Sequence, residues 1–172
     1  MKTAQCFVFV LIISTNVLKA SSESAKNSFF VEGLGAGFFY SINYERLINK
    51  DFGLRVGAEY APLQSTWSAF DDYAISCPIL VNYVGLRSGS HALELGGGAN
   101  VSYSAGKSLL AAEPGFEMYG LGVVGYRFQP TSEGFQFRIG VTTFLGKDVS
   151  HKLEDGNRNF LIWPHMSFGW SF

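Results

Sequence analysis

The stretch LGAGFFYSINYER, residues 34–46, decides the fold class. Read as extended chain, it puts Leu34, Ala36, Phe38, Tyr40, Ile42 and Tyr44 on one face and Gly35, Gly37, Phe39, Ser41, Asn43 and Glu45 on the other. The same period of two continues after a turn at Asn49, Lys50 and Asp51. There Phe52, Leu54, Val56, Ala58 and Tyr60 alternate with Gly53, Arg55, Gly57 and Glu59. Ile79, Val81 and Tyr83 oppose Leu80, Asn82 and Val84, and Leu93, Leu95, Gly97, Ala99, Val101 and Tyr103 oppose Glu94, Gly96, Gly98, Asn100 and Ser102. Residues 118–128 and 135–144 follow the rule. The chain closes with Phe160, Ile162, Met166, Phe168, Trp170 and Phe172 opposite Trp163, His165, Ser167, Gly169 and Ser171. Past Ser28 no apolar stripe of helical spacing is sustained, so the chain reads as all-β.

Strands with two unlike faces suit a soluble barrel, apolar inside, or a membrane barrel, apolar outside. The second face decides. Meeting water, it would be rich in Lys, Glu and Thr; here Gly, Ser and Asn dominate, as a narrow crowded lumen requires. That lumen receives Glu45, Glu59 and Glu94 against Arg55, Arg127 and Arg138, a balanced set that persists in a confined interior by pairing. A side-chain plug is expected rather than an open pore.

Connector lengths point the same way, because outer-membrane barrels alternate short periplasmic turns with long outer loops. Short links fall near Asn49, Gly89 and Ser132; long ones cover residues 61–74, 104–115 and 146–159. Outward aromatics gather at the short-turn ends: Tyr44, Phe52, Tyr83, Tyr126, Phe128, Phe135 and Trp170, as an interfacial girdle demands. Seven strands are clear, yet a barrel with both termini on the periplasmic side needs an even number. A short first strand over Phe29–Gly33 that turns within GLGAG and descends along Phe38–Arg46 supplies the eighth; a strand hidden in residues 147–159 is the alternative. Glu32, otherwise set among lipid-facing residues, favours the break.

Composition agrees. The chain has 172 residues, 47% hydrophobic and 16% aromatic, which excludes disorder and indicates one domain. Lys2 followed by CFVFVLII (Cys6–Ile13) has the order of a secretory signal, and Ser14, Thr15 and Asn16 interrupt it too early for a membrane-spanning helix. Residues 1–20 are read as a signal peptide and residues 21–172 as the barrel domain, although cleavage after Ala20 leaves a large Leu18 at minus three. Loss of Lys2 and Lys19 takes the formal net charge from −1 to about −3, with no electrostatic footprint for nucleic acid. Cys77 then remains as the sole thiol, so no intramolecular disulfide forms.

The ending Met166, Phe168, Trp170 and Phe172 resembles the signal by which outer-membrane barrels are passed to the barrel-assembly machinery. FVEGLGAGFFYSINYERL, CPILVNYVG, HALELGGGA, GYRFQP and GFQFRIGVT, in this order, look like a family of small outer-membrane β-barrel proteins of Gram-negative bacteria. The resemblance covers nearly all of the mature chain. It implies an eight-stranded antiparallel transmembrane β-barrel in the cell outer membrane, in contact with outer-membrane lipid and lipopolysaccharide. A transient encounter with the assembly machinery through Phe172 is implied too, with no activity to carry over.

Motifs for chemistry are sparse. GLGAG precedes a strand rather than a helix, which suits a turn better than a phosphate cradle. His165 and Ser167 share one strand face and resemble the His-x-Ser pair of outer-membrane lipid A deacylases. Only these two residues match, and a hydrogen-bonded lumen histidine is the plainer reading. His91 and His151 fall at a short turn and in a long loop, so no metal site is expected. Asp71, Asp72, Asp148, Glu154 and Asp155 suit Ca²⁺ only if two loops meet; solvated loop charge is simpler. The expectation is a monomeric outer-membrane barrel without catalytic site or cofactor, with a structural or loop-mediated binding role. A lipid A deacylase-like hydrolase and a narrow small-solute pore are the rivals.

Overall fold

The computed structural model describes residues 25–62, 73–105, 114–146 and 160–172. Eight barrel strands run through them: β1 Asn27–Leu34, β2 Tyr40–Leu47, β3 Phe52–Pro62, β4 Tyr73–Tyr83, β5 His91–Ser104, β6 Gly115–Phe128, β7 Gly134–Leu145 and β8 Phe160–Ser171. Each pairs antiparallel with its chain neighbours, and β1 pairs with β8 from Ser28↔Ser171 to Leu34↔His165. The sheet therefore closes on itself, and closure removes the edges that an open sheet leaves unpaired. Asn27 N–H to Phe172 carbonyl (2.9 Å) and Phe172 N–H to Asn27 carbonyl (2.8 Å) tie the two chain ends together.

The eighth strand comes from the break in GLGAG. A 3₁₀ turn, Gly35–Gly37, separates two short strands of eight residues each. One part of the alternation is corrected here. Ala36 and Phe38, expected on the outward face with Tyr40, are interior at 0% and 4% exposure, whereas Phe39 is exposed. The cause is local: Leu34 (φ 60°), Gly35 (φ 82°) and Phe38 (φ 90°) leave the extended region, and period two holds only while the backbone stays extended. The alternative strand within residues 147–159 lies outside the described residues, as do the signal segment and most of the three long connections.

Three short links share one end with the chain termini. In the first, Asn49 Oδ1 accepts from Asp51 N–H (2.9 Å) and Phe52 N–H (2.8 Å), the local bond that makes Asn a turn residue. In the second, the two-residue extended piece Arg87–Ser88 folds back on Ala92 and His91. Outside, Phe52 meets Tyr83, and His91 meets Tyr126 and Phe128. Tyr44 donates to Asn27 at 2.8 Å and Trp170 to Glu133 at 3.3 Å, so the amphipathic rings turn their polar atoms toward the turns. A second belt, which sequence reading missed, circles the other end. Tyr60, Tyr73, Tyr103 and Phe116 are in ring contact, and Tyr40 donates to the Tyr60 carbonyl.

Between Tyr73 and Tyr83, one in each belt, β4 climbs ten residues. At about 3.4 Å per residue and a tilt near 40° this spans roughly 26 Å, the height of the apolar band of an outer-membrane barrel. The outward side chains between the belts are apolar: Val31, Ile42, Val56, Ile79, Leu95, Val101, Val124, Ile139, Val141 and Met166 are all exposed. Among the described strands Arg46, at the short-turn end, is the one charged residue on that outer face. Cys77 also faces outward within the band and is half-exposed.

Candidate functional site

The barrel is charged inside. Arg55, Arg127, Arg138, Glu32, Glu45 and Glu94 are each at most 1% exposed. Glu45 accepts from Arg127 at 2.9 Å and from Arg138; Glu94 accepts from Arg138 at 3.1 Å and lies 3.7 Å from Arg127. Arg55 forms a separate pair with Glu32 at 2.6 Å and donates Nε–H to Asn43 Oδ1 at 2.9 Å. The Phe30 ring lies between the two groups, 3.9 Å from the Arg138 guanidinium and 5.1 Å from that of Arg55. Room for it is made on β8: an added Cβ on Gly169, opposite Phe30, would lie 2.3 Å from the Phe30 Cβ. Such a network repays its desolvation through close geometry and multiple partners. The ion pairs are close, but Nε and Nη2 of Arg127, Nε of Arg138 and Oε2 of Glu94 have no hydrogen-bond partner among the described residues.

Above the network the lumen is closed by the chain itself. The β1–β2 turn folds inward, and its backbone groups are met by side chains from distant strands. Ala36 N–H donates to Glu32 Oε1 (2.9 Å), Phe39 N–H to Glu59 Oε1 (3.0 Å), and Asn100 Nδ2 to the Ala36 carbonyl (2.9 Å). Trp163 Nε1–H donates to the Phe38 carbonyl at 2.8 Å, and its ring stacks on Phe38 at 4.9 Å. Ala36 and Phe38 pack with Leu80, Tyr119, Leu121, Val123 and Phe144 in an apolar plug. The turn fills a notch in the wall, because β1 ends opposite His165 while β8 continues to Phe160. Pro164, the first β8 residue past the end of β1, lacks an N–H to leave unpaired.

All six lumen charges expected from the sequence are interior, and Glu32 joins them. Glu59 joins no arginine among the described residues. It caps the re-entrant turn and accepts from Ser76 Oγ at 2.8 Å instead. Glu32 pairs with Arg55, so four carboxylates rather than three are buried among the described residues. The signal for this was in the sequence: once β1 is set off as a strand, Glu32 falls in phase with Ser28 and Phe30. His165 and Ser167 do share the lumen face, buried, but the ring Nδ1 of His165 is 3.0 Å from Thr142 Oγ1 rather than joined to Ser167. Ser167 Oγ has no hydrogen-bond partner among the described residues. Met166, Phe168 and Trp170 point outward on the last strand, and Phe172 follows it in the ring closure. Among the described residues no three His, Cys, Asp or Glu side chains are placed to hold a metal. The acidic loop residues Asp71, Asp72, Asp148, Glu154 and Asp155, with His151, lie outside the described residues.

No family model matches the chain, and no curated protein does. Among solved structures it is similar to Ail, the attachment invasion locus protein of Yersinia pestis. That match has 13% identity and a TM-score of 0.45, covering 85% of this chain and 97% of that chain.

Proposed function

We propose that this chain is an integral outer-membrane β-barrel protein with a filled, non-conducting lumen and a structural or loop-mediated binding role. The observation that supports it best is the inverted distribution of polarity. Among the described residues three arginines and four glutamates are buried inside, while the face between the aromatic belts is apolar. Water on the outside would penalise that arrangement; lipid rewards it. With the lumen occupied by the re-entrant turn and the ion network, transport is disfavoured. The long connections at the end opposite the termini are then the place for recognition, as loops on a rigid scaffold generally are. Met166, Phe168, Trp170 and Phe172 form the face on which the assembly machinery would take hold.

Fractionation of cells expressing the full chain tests the location, and planar bilayers test the lumen. The expected result is recovery in the outer membrane, a mobility shift between boiled and unboiled samples, and no stepwise conductance. Recovery as a soluble periplasmic protein would refute the membrane reading. Steady single-channel conductance would favour the small-solute pore.

Ile79→Arg probes the lipid face directly. Ile79 is 46% exposed and lies between the belts on β4. A cation there is expected to cost about 2–4 kcal/mol of folding free energy in a bilayer. The same substitution on a water-facing surface would be near neutral, so reversible unfolding from lipid vesicles separates the two.

A further inference from the structure

At the short-turn end of the lumen, hydrogen-bond donors outnumber acceptors. The register sets Arg87 opposite Ala92, Ala92 opposite Arg127 and Arg127 opposite Arg138, and directly paired residues share a face of the sheet. Ala92, Arg127 and Arg138 are buried, which puts Arg87 on the inner side as well, at the rim and half-buried. One step closer to the mouth are Gln129, whose backbone N–H donates to the Ser90 carbonyl, and Gln136.

Seven shielded nitrogens in this cluster have no partner among the described residues: Nε and Nη2 of Arg87, Nε and Nη2 of Arg127, Nε of Arg138, and Nε2 of Gln129 and Gln136. Unpartnered acceptors nearby are five: Glu94 Oε2, Gln129 Oε1, Asn82 Oδ1, and the hydroxyls Ser28 Oγ, opposite Glu45, and Ser167 Oγ, opposite Arg138. Nε and Nη2 form the side-on edge of a guanidinium, which accommodates two oxygens of one carboxylate or phosphate. Two such edges, on Arg87 and Arg127, are shielded and have no partner among the described residues. Arg127 and Arg138 are ion-paired with Glu45 and Glu94, whereas Arg87 has no ion pair among the described residues and meets Asp51 and Glu45 only through space. Leu47, Val84 and Ala92 form an apolar wall beside the cluster. A half-buried cation without an ion pair, its Nε and Nη2 shielded and unpartnered, is stabilised by an anion that reaches it.

We infer that the short-turn mouth binds one small oxyanion, of the size and chemistry of inorganic phosphate, on the side-on edges of Arg87 and Arg127 with the amides of Gln129 and Gln136. Arg87, half-buried at the rim, is the side chain that yields to admit it from the aqueous side. The inference rests on the closed barrel and not on its cellular location.

The test is equilibrium binding of inorganic phosphate to the folded full chain in zwitterionic detergent at constant ionic strength, with folding confirmed by the mobility shift. One phosphate per barrel is expected. Arg87→Gln should weaken binding at least tenfold, Gln129→Leu severalfold, and Arg46→Gln, on the outer face of the same end, not at all. A second arm replaces phosphate with micelles containing phosphatidylglycerol, which presents the same chemistry from the outer surface. Binding only in that arm overturns the inference. So does no saturable phosphate binding at millimolar concentration, or equal losses in Arg87→Gln and Arg46→Gln.

Discussion

Glu45→Ala is expected to lower the unfolding free energy of the barrel by about 3–5 kcal/mol, the usual consequence of leaving buried cations without their partner. Glu45 is 0% exposed and serves Arg127, Arg138 and Asn82 together. Without it, two guanidinium groups compete for Glu94 in a region that water reaches poorly. Urea titration in detergent or lipid vesicles reads the change. Glu59→Gln supplies the contrast: Glu59 is also interior, but it accepts from backbone N–H groups and a hydroxyl, so about 1 kcal/mol is expected there. The double variant Glu45→Leu with Arg138→Met should recover part of the loss, because removing both charges is cheaper than stranding one. Equal effects of Glu45→Ala and Glu59→Gln would show that the ion network contributes no more than ordinary hydrogen bonds.

Gly35→Val should cost about 3 kcal/mol and loosen the plug. Gly35 has φ +82°, where a β-branched residue is strained, and an added Cβ would lie 2.4 Å from Glu32 Oε1 and 2.8 Å from the Cβ of His165. Pushing Glu32 aside also disturbs its bonds to Arg55 and to the Ala36 N–H. Gly89→Ala separates the two contributions. Gly89 has φ +60° with no atom within 4 Å of the added Cβ, so only the backbone penalty of about 1–2 kcal/mol applies. The indole of Trp163, held by stacking and by its bond to the Phe38 carbonyl, reports the plug: its fluorescence should shift toward that of a hydrated indole in Gly35→Val and not in Gly89→Ala. An unshifted spectrum together with a small stability change would refute the turn as a packed plug.

How far the sequence could be read depended on whether each feature is local. Alternation in β3, β4, β5 and β8 correctly divided inward from outward residues, because side-chain direction in a strand is set by the residue's own backbone. The same reasoning failed at Ala36 and Phe38, where departures from extended geometry at Leu34, Gly35 and Phe38 turn the chain into the lumen. The belt of Tyr60, Tyr73, Tyr103 and Phe116 was missed for a related reason. Its members lie far apart in the chain, beside long connections, and become a belt only when neighbouring strands are in register.

What the sequence determined by itself was the kind of wall: all-β, apolar on one face, small and charged on the other, with three arginines assigned to the interior. What only the tertiary structure decided was who meets whom. Nothing local distinguishes Glu32 from Glu59 as the partner of Arg55, or sends the amide of Asn100 to the Ala36 carbonyl. Nor does anything local leave the side-on edges of Arg87 and Arg127 without partners among the described residues. The physical reason is that the direction of a strand side chain follows from its own φ and ψ, whereas its partner follows from strand register and ring closure, which depend on all eight strands at once.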